Sequence, residues 1–199
     1  MNLPNKLTIS RIIMSIAIIV LLLFPFQMAG IEFPQLFIDE KLVVDSKYLI
    51  AGTLFILASL TDFLDGYLAR KNNEVTDFGK LLDAIADKVL VNPILIILAA
   101  QHFIPVIVPV IYVTRDIVVD AIKMQAATKG KVQAAIKSGK YKTACMMVGL
   151  CLVFFYNIPF EFINIRVDLG LLYIACILAV ISAVEYFSIN KELIFSKEK

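Results

Sequence analysis

The sequence predicts an all-α integral membrane protein: a bundle of six transmembrane helices around a polar cavity that opens to the cytoplasm. Hydrophobic residues make up 60% of its 199 residues, compared with about one half in an ordinary soluble domain. They collect in six long segments, each of a length that can cross a bilayer. Lysine and arginine concentrate between alternate segments, as in other multi-pass proteins. The length, and the lack of linkers or repeats, predict one domain over residues 1–199.

The six predicted helices are, in chain order, Thr8–Met28, Tyr48–Ala69, Gly79–Gln101, Ile104–Thr128, Lys140–Tyr156 and Leu169–Ile189. The first is too long for the apolar part of a signal peptide and has no small-residue cleavage site, so we expect a retained helix. Charged residues interrupt the second, third and fourth, so a hydropathy average alone would underrate them. The fifth and sixth are apolar runs within the usual range of about 17–25 residues.

The distribution of basic residues predicts the orientation of the bundle. The N-terminus, the 70–80 turn, the 129–142 segment and the C-terminal tail carry 2, 3, 5 and 3 of them, thirteen in all. The opposite loops carry only Lys41, Lys47 and Arg166. Because loops rich in lysine and arginine stay in the cytoplasm, we expect both termini to be cytoplasmic and the chain to lie in the cell (inner or plasma) membrane.

Composition argues against two other kinds of chemistry. A net charge of +2 is too small to indicate a nucleic-acid partner. The three cysteines, Cys145, Cys151 and Cys176, lie in apolar runs without the spacing of metal or disulfide motifs. We therefore expect them to be buried small hydrophobic residues.

Four aspartates lie on the second and third predicted helices: Asp62, Asp65, Asp83 and Asp87. The first two are three residues apart and the last two are four apart, so each pair lies on one helix face. Asp62 is eight residues before Arg70, where the second helix reaches the cytoplasm. Asp87 is eight residues after Gly79, where the third begins. At about 1.5 Å per residue, both lie roughly 12 Å from the same membrane surface. The four carboxylates are therefore predicted to meet in one cavity, and charges inside a membrane indicate function.

This cluster predicts a metal site. Four negative charges so close together cannot all ionise without compensation. Hard oxygen ligands, with no histidine or cysteine nearby, favour Mg²⁺, Mn²⁺ or Ca²⁺. Two divalent ions about 3.5–4 Å apart would neutralise the carboxylates and could clamp a pyrophosphate.

Other residues near the cluster have both a structural and a functional interpretation. Gly66 and Ala69 could allow close helix packing or leave room for a ligand. Arg70 could be an interfacial anchor or a phosphate clamp. Asn5 and its stripe partners Thr8 and Arg11, at i, i+3 and i+6, could be a helix cap with a basic anchor.

Four cations could surround the same cavity and bind a phosphate: Arg115, Lys123, Lys140 and Lys142. Arginine can bind phosphate through two parallel hydrogen bonds, whereas lysine acts as a point charge. The structural alternative is that Arg115 neutralises Asp116 and that Lys123 neutralises Asp120. Glu185 has no evident partner, and a hydrogen bond between helices is the simplest interpretation.

The aspartates follow the spacing D-x2-D-G-x2-A-R-x8-G-x3-D-x3-D, and with it the chain resembles the CDP-alcohol phosphotransferase family at every defined position. The resemblance implies a CDP-linked donor and release of CMP. It implies that Asp62, Asp65, Asp83 and Asp87 bind metal, two ions of Mg²⁺ or Mn²⁺, and that Asp87 is also the general base. It implies donor contacts from Asp62, Gly66, Ala69, Arg70, Gly79 and Asn5.

Two further segments, NLPNKLTISR and SGKYKT, are similar to those of family members that make phosphatidylglycerophosphate. This implies transfer of a phosphatidyl group from CDP-diacylglycerol to sn-glycerol 3-phosphate by an enzyme that is a homodimer. The residues implied to bind the acceptor phosphate are Thr8, Arg11, Arg115, Lys123, Lys140 and Lys142. Ala84, Asp116 and Lys123 depart from the usual Pro, Glu and Arg. Alternatives are another acceptor, such as inositol phosphate or serine, or a divalent-cation transporter or metal-binding membrane scaffold.

Overall fold

A computed structural model describes residues 2–38, 42–71, 76–128 and 136–195. In these residues the chain forms six α-helices: α1 (Leu3–Leu23), α2 (Ser46–Lys71), α3 (Asp77–Ala100), α4 (Ile107–Thr128), α5 (Lys137–Phe154) and α6 (Val167–Phe195). Short 3₁₀ turns follow α1 at Phe26–Ala29 and precede α6 at Phe160–Ile163. The predicted all-α class is confirmed, and each predicted helix overlaps one observed helix.

The predicted bounds of the first helix, Thr8–Met28, are wrong at both ends. The helix begins at Leu3, with Pro4 in its first turn, where a missing N–H costs nothing. It ends at Leu23 because Phe24 precedes Pro25, and a residue before proline is driven to extended backbone. Phe24 has φ −67° and ψ 130°. The shift places more of the N-terminal polar stripe inside a helix.

A β-hairpin that the sequence did not predict lies between α1 and α2. Strand β1 (Gln35–Ile38) pairs antiparallel with β2 (Leu42–Asp45), with Gln35 opposite Asp45. The Asp45 amide donates to the Tyr156 hydroxyl at 3.1 Å, so the hairpin is attached to the end of α5. We call this end of the bundle the hairpin end.

A buried polar group joins α5 to α6 at the hairpin end. The Asn157 side chain donates to the Ile165 carbonyl at 2.8 Å and accepts from the Asp168 amide at 3.2 Å. Arg166 donates to both oxygens of Asp168, at 3.0 and 2.9 Å. These hydrogen bonds raise the pKa of Arg166, against the opposing effect of burial.

The helices form two closely packed groups. Helix α1 packs along both α2 and α3, and α6 packs along both α4 and α5. Within the described residues, α2 and α3 touch each other only slightly. The core between the groups is apolar and includes Phe55, Leu90, Ile94, Met146 and Phe154. The two helices that carry the aspartate motif are therefore held together chiefly through α1.

Three helices in the described part of the chain are long and apolar enough to cross a membrane: Leu3–Leu23, Ser46–Leu68 and Val167–Lys191. Large apolar side chains point outward along them, for example Ile13, Val20, Ile177 and Val184. Such an outer surface suits lipid rather than water. Helices α3, α4 and α5 carry charges within their length, several of which form ion pairs with one another.

Candidate active site

The site begins with the polar stripe on α1. Asn5, Thr8 and Arg11 lie on one side of the helix, and Thr8 and Arg11 are buried. Because α1 packs between α2 and α3, this stripe faces the two helices that carry the aspartates.

Arg11 lies among all four aspartates. Its Nη1 is 2.6 Å from Asp62 Oδ1, 3.0 Å from Asp83 Oδ1 and 3.1 Å from Asp87 Oδ1. Its Nη2 pairs with Asp65 Oδ2. The Arg11 side chain is completely buried, whereas those of Asp62, Asp83 and Asp87 are 37%, 49% and 48% exposed. One guanidinium therefore joins the carboxylates of α2 to those of α3.

Asp65 differs from the other three carboxylates. It is only 4% exposed, and its Oδ2 accepts from the Thr8 hydroxyl at 3.1 Å as well as from Arg11. Charge-assisted hydrogen bonds of this kind hold a carboxylate in one orientation. Asp65 thus anchors α1 to α2 beside the more open carboxylates.

Asp62, Asp83 and Asp87 form a triad that fits a metal ion. Each offers a carboxylate oxygen, and these oxygens lie within 4.8 Å of one another. Three hard, partly exposed oxygen donors suit a divalent cation such as Mg²⁺ or Mn²⁺, which completes its shell with water or phosphate oxygens. Asp65, predicted as a fourth ligand, is not part of this triad.

Gly79 lets α1 approach the first turn of α3. The Thr76 side chain caps the helix by accepting from the Gly79 amide at 3.0 Å. A Cβ on Gly79 would lie 2.9 Å from Asn5 Oδ1 and 3.0 Å from Thr76 Oγ1. Asn5 and Gly79, both predicted to bind the donor, are therefore neighbours.

The remaining predicted donor residues lie on α2. Gly66 is half-buried, next to Asp65. Ala69 and Arg70 belong to the last turns of the helix, but their side chains lie outside the described residues.

A second polar cluster joins α4, α5 and α6. Arg115 Nη1 and Lys142 Nζ share Asp116 Oδ1, at 3.0 and 2.8 Å. Arg115 also donates to the Ser182 hydroxyl at 2.6 Å. The Lys142 ammonium lies 4.0 Å from the centre of the Tyr112 ring. This cationic cluster, Arg115, Asp116 and Lys142, contains two positive charges and one negative charge.

The alternative pairing of Lys123 with Asp120 is not found among the described ion pairs. Asp120 forms an ion pair with Lys88 of α3, and the Lys123 ammonium lies 4.9 Å from the Tyr186 ring centre. Asp120 is one turn of α4 from Asp116, and Lys88 follows Asp87 in the chain. The Lys88–Asp120 pair therefore links α3, which carries two residues of the triad, to α4, which carries two residues of the cationic cluster.

The structure also shows the surroundings of Lys140 and Glu185. Lys140 is exposed on the first turn of α5. Glu185 accepts a hydrogen bond from the Ser138 hydroxyl, which confirms the expected hydrogen bond between helices.

Most of the chain resembles one group of enzymes. A sequence profile of the CDP-alcohol phosphatidyltransferase family matches residues 1–183. The chain belongs to this family.

Two curated relatives cover nearly the whole chain, and a third covers most of it. A Bacillus subtilis protein is 38% identical over 96% of both chains, and a Haemophilus influenzae protein is 34% identical over 96% of this chain and 94% of its own. A Mycoplasma pneumoniae protein is 35% identical over 79% of this chain and 70% of its own. All three are named CDP-diacylglycerol–glycerol-3-phosphate 3-phosphatidyltransferase.

The position of Arg11 is the part of this phosphatidyltransferase site that sequence reasoning missed. The stripe of Asn5, Thr8 and Arg11 indicated a shared face, and the resemblance implied a phosphate ligand for Arg11. Neither showed that this face is turned to the aspartates. The signal that could have found it is the charge balance: four buried or half-buried carboxylates need a cation, and Arg11 is the arginine on the helix before them.

Proposed function

We propose that this phosphatidyltransferase transfers the phosphatidyl group of CDP-diacylglycerol to sn-glycerol 3-phosphate, forming phosphatidylglycerophosphate and CMP. The observation that carries the proposal is the triad of Asp62, Asp83 and Asp87, which brings three carboxylates of the family motif to one point. The names of relatives that match the chain over 96% of its length supply the acceptor.

The reaction is a displacement at phosphorus. The acceptor hydroxyl oxygen attacks the phosphorus that carries diacylglycerol, the bond from that phosphorus to the CMP oxygen breaks, and the hydroxyl proton passes to a base. We assign this base to Asp87, which is half-exposed and therefore open to a substrate. The donor is assigned to Asn5, Gly66, Ala69, Arg70 and Gly79, together with Asp62.

We assign a divalent metal site, two ions of Mg²⁺ or Mn²⁺, to the aspartates of the motif. The triad would provide most ligands, with Asp65 holding the arrangement from behind. Bound ions would offset the negative charge of the carboxylates and of the donor pyrophosphate.

The acceptor phosphate is assigned to the cationic cluster. Its charges sum to one positive charge in a largely buried place, and this charge favours binding of an anionic phosphate. Lys123 and Lys140, with Thr8 and Arg11 on the side of the triad, complete the assigned acceptor residues.

We further propose that the enzyme crosses the inner or plasma membrane six times, with both termini in the cytoplasm. The active site would open to the cytoplasm, and the enzyme would be a homodimer. The bias of thirteen basic residues against three supports the orientation. In α3, α4 and α5, Lys88 pairs with Asp120, and Arg115 and Lys142 pair with Asp116. This pairing makes these helices compatible with a membrane despite their lower apolarity.

A CMP-release assay with an acceptor panel tests the function. Purified protein in mixed micelles receives CDP-diacylglycerol labelled in the cytidine, Mg²⁺, and glycerol 3-phosphate, inositol phosphate, serine or no acceptor. Glycerol 3-phosphate should support the fastest CMP release, with equal formation of phosphatidylglycerophosphate, and Asp83→Asn should be inactive at ordinary Mg²⁺. Faster release with serine or inositol phosphate would contradict the acceptor. Cation flux in proteoliposomes without CMP release would contradict the enzyme class.

A further inference from the structure

Arg11 Nη1 contacts the three carboxylates that would hold a metal ion at the triad. Nη1 is 2.6–3.1 Å from one oxygen of each of Asp62, Asp83 and Asp87. Carboxylate oxygens of these residues lie within 4.8 Å of one another, and Nη1 contacts all three carboxylates at once. Mg²⁺ binds oxygen ligands at about 2.0–2.1 Å, so an ion held by this triad would need the carboxylate oxygens that Nη1 contacts. The two cations would therefore compete for the same ligands.

We infer that Arg11 is a built-in counter-ion that exchanges with the divalent metal for the carboxylates of Asp62, Asp83 and Asp87, and so sets the affinity of the site for metal. The inference rests on the metal site of the proposed function. It adds a residue that is not a metal ligand but that competes with the metal for its ligands.

The surroundings of the guanidinium favour a pivot over a complete exit. Nη2 pairs with Asp65, which lies outside the triad and is held by Thr8. Nε of Arg11 is buried without a hydrogen-bond partner among the described residues, so the carboxylates alone hold the guanidinium in place. If the triad carboxylates held a metal ion, Nη2 could keep its contact with Asp65 while Nη1 turned away from the triad.

The pivot gives Arg11 a use after the exchange. Nη1 then carries a positive charge and free N–H groups beside a metal-bound carboxylate site, where an anionic phosphate oxygen can accept from it. The same residue thus balances the carboxylates without metal and contacts phosphate with metal.

Helix packing gives the exchange a second consequence. Within the described residues α2 and α3 contact each other only slightly, so the contacts of α1 with both helices hold them together. Without the Arg11 charge or a bound metal ion, these α1 contacts alone would have to oppose the repulsion between the carboxylates of α2 and α3. A variant without the Arg11 charge should therefore depend on added metal for its stability, whereas the natural protein should not.

Metal binding without substrates tests the inference. Mn²⁺ alone is titrated into detergent-purified protein and measured by electron paramagnetic resonance, for the natural protein, Arg11→Gln, Arg11→Lys and Arg166→Gln. Arg166 is a matched control because it pairs with Asp168 at the hairpin end. Removing a competing charge-assisted contact should tighten Mn²⁺ binding by about ten- to a hundredfold in Arg11→Gln. Arg11→Lys keeps the charge but has one nitrogen, so its Mn²⁺ affinity should lie between those of the natural protein and Arg11→Gln. Arg166→Gln should bind Mn²⁺ with the affinity of the natural protein.

Thermal unfolding is the second measurement. In EDTA, Arg11→Gln should unfold at a lower temperature than the natural protein. In Mn²⁺, its unfolding temperature should return to that of the natural protein. If Arg11→Gln does not survive purification without metal, purification in Mn²⁺ followed by EDTA gives the same comparison.

The outcomes separate the inference from the proposed function. Unchanged or weaker Mn²⁺ binding by Arg11→Gln, with binding still weakened by Asp83→Asn, overturns the exchange and leaves the metal site intact. Failure of the natural protein to bind Mn²⁺ at all overturns both the metal site and the exchange.

Discussion

Arg11 of α1 and Asp65 of α2 form an ion pair in which both side chains are buried, 0% and 5% exposed. A buried charge without its partner is strongly unfavourable, so this pair fixes the position of α1 against the first half of the aspartate motif. Through Nη1, the same arginine then reaches Asp62, Asp83 and Asp87. The N-terminal helix is therefore a structural part of the candidate active site, not only a membrane anchor.

Asp87→Asn should abolish turnover while the protein still inserts and binds CDP-diacylglycerol. Asparagine keeps the volume and one oxygen but cannot accept the hydroxyl proton, and loss of a general base costs about 10²–10⁴ in rate. Asp62→Asn and Asp83→Asn serve as the comparison, because these two residues are assigned to bind metal. High Mg²⁺ or Mn²⁺ should therefore restore part of the activity of these two variants. The measurement is CMP release across a metal titration. A near-normal rate for Asp87→Asn at saturating metal would remove its role as base.

Lys142→Met should raise the KM for glycerol 3-phosphate more than that for CDP-diacylglycerol. Lys142 is buried, and its ammonium is the charge that brings the cluster around Asp116 to a net positive value. Loss of a charge-assisted phosphate contact costs about 1.5–3 kcal/mol, or roughly ten- to more than a hundredfold. Lys137→Met, at an exposed lysine on the same helix, is the control and should change neither constant. Equal increases for both substrates in Lys142→Met would indicate a folding role instead.

Gly79→Ala should weaken donor binding with little loss of stability. The added methyl would approach Asn5 Oδ1 to 2.9 Å, and the end of the Asn5 side chain can rotate away. This rotation removes Asn5 from its position beside the start of α3, so the KM for CDP-diacylglycerol should rise several-fold. Initial rates at varied donor, with thermal unfolding as the check on folding, measure the effect. A change confined to the acceptor KM would contradict the assignment of Asn5.

Gly52→Ala should destabilise the contact between α2 and α5. A Cβ at this position would lie 2.7 Å from Phe154 Cβ and 2.9 Å from Phe155 Cε2. An atom next to the backbone cannot move without moving the helix, and such overpacking costs about 1–3 kcal/mol. Gly170→Ala is the matched control, because nothing lies within 4 Å of its added Cβ. Thermal unfolding in detergent should show a lower midpoint for Gly52→Ala only, and equal midpoints would mean that the interface adjusts freely.

Cysteine labelling should show the hairpin end outside the cell. On a background without Cys145, Cys151 and Cys176, a membrane-impermeant reagent added to intact cells should modify Gln35→Cys in β1. It should spare Gln125→Cys near the other end of α4 until the membrane is opened. Both positions are exposed, so access to the reagent decides the outcome. The reverse pattern would place the active site on the side away from cytoplasmic CDP-diacylglycerol.

The sequence by itself determined the helices and the two aspartate pairs. Apolar runs of membrane length predict where helices lie, and spacings of three and four residues place Asp62 with Asp65, and Asp83 with Asp87, on single faces. These are properties of one helix at a time, so local geometry is enough to derive them. Pro25 also indicates that α1 ends at Leu23, but the apolar run that continues beyond it favours a longer helix.

Only the tertiary structure decided which faces meet. It turned the Arg11 side of α1 to the aspartates, paired Asp120 with Lys88 instead of Lys123, and brought Lys142 to the Arg115–Asp116 pair that the sequence already offered. Residue spacing gives a side chain its height and direction on its own helix, but the partner it meets depends on how all six helices pack. That packing comes from the apolar contacts of the whole bundle, which no local motif contains.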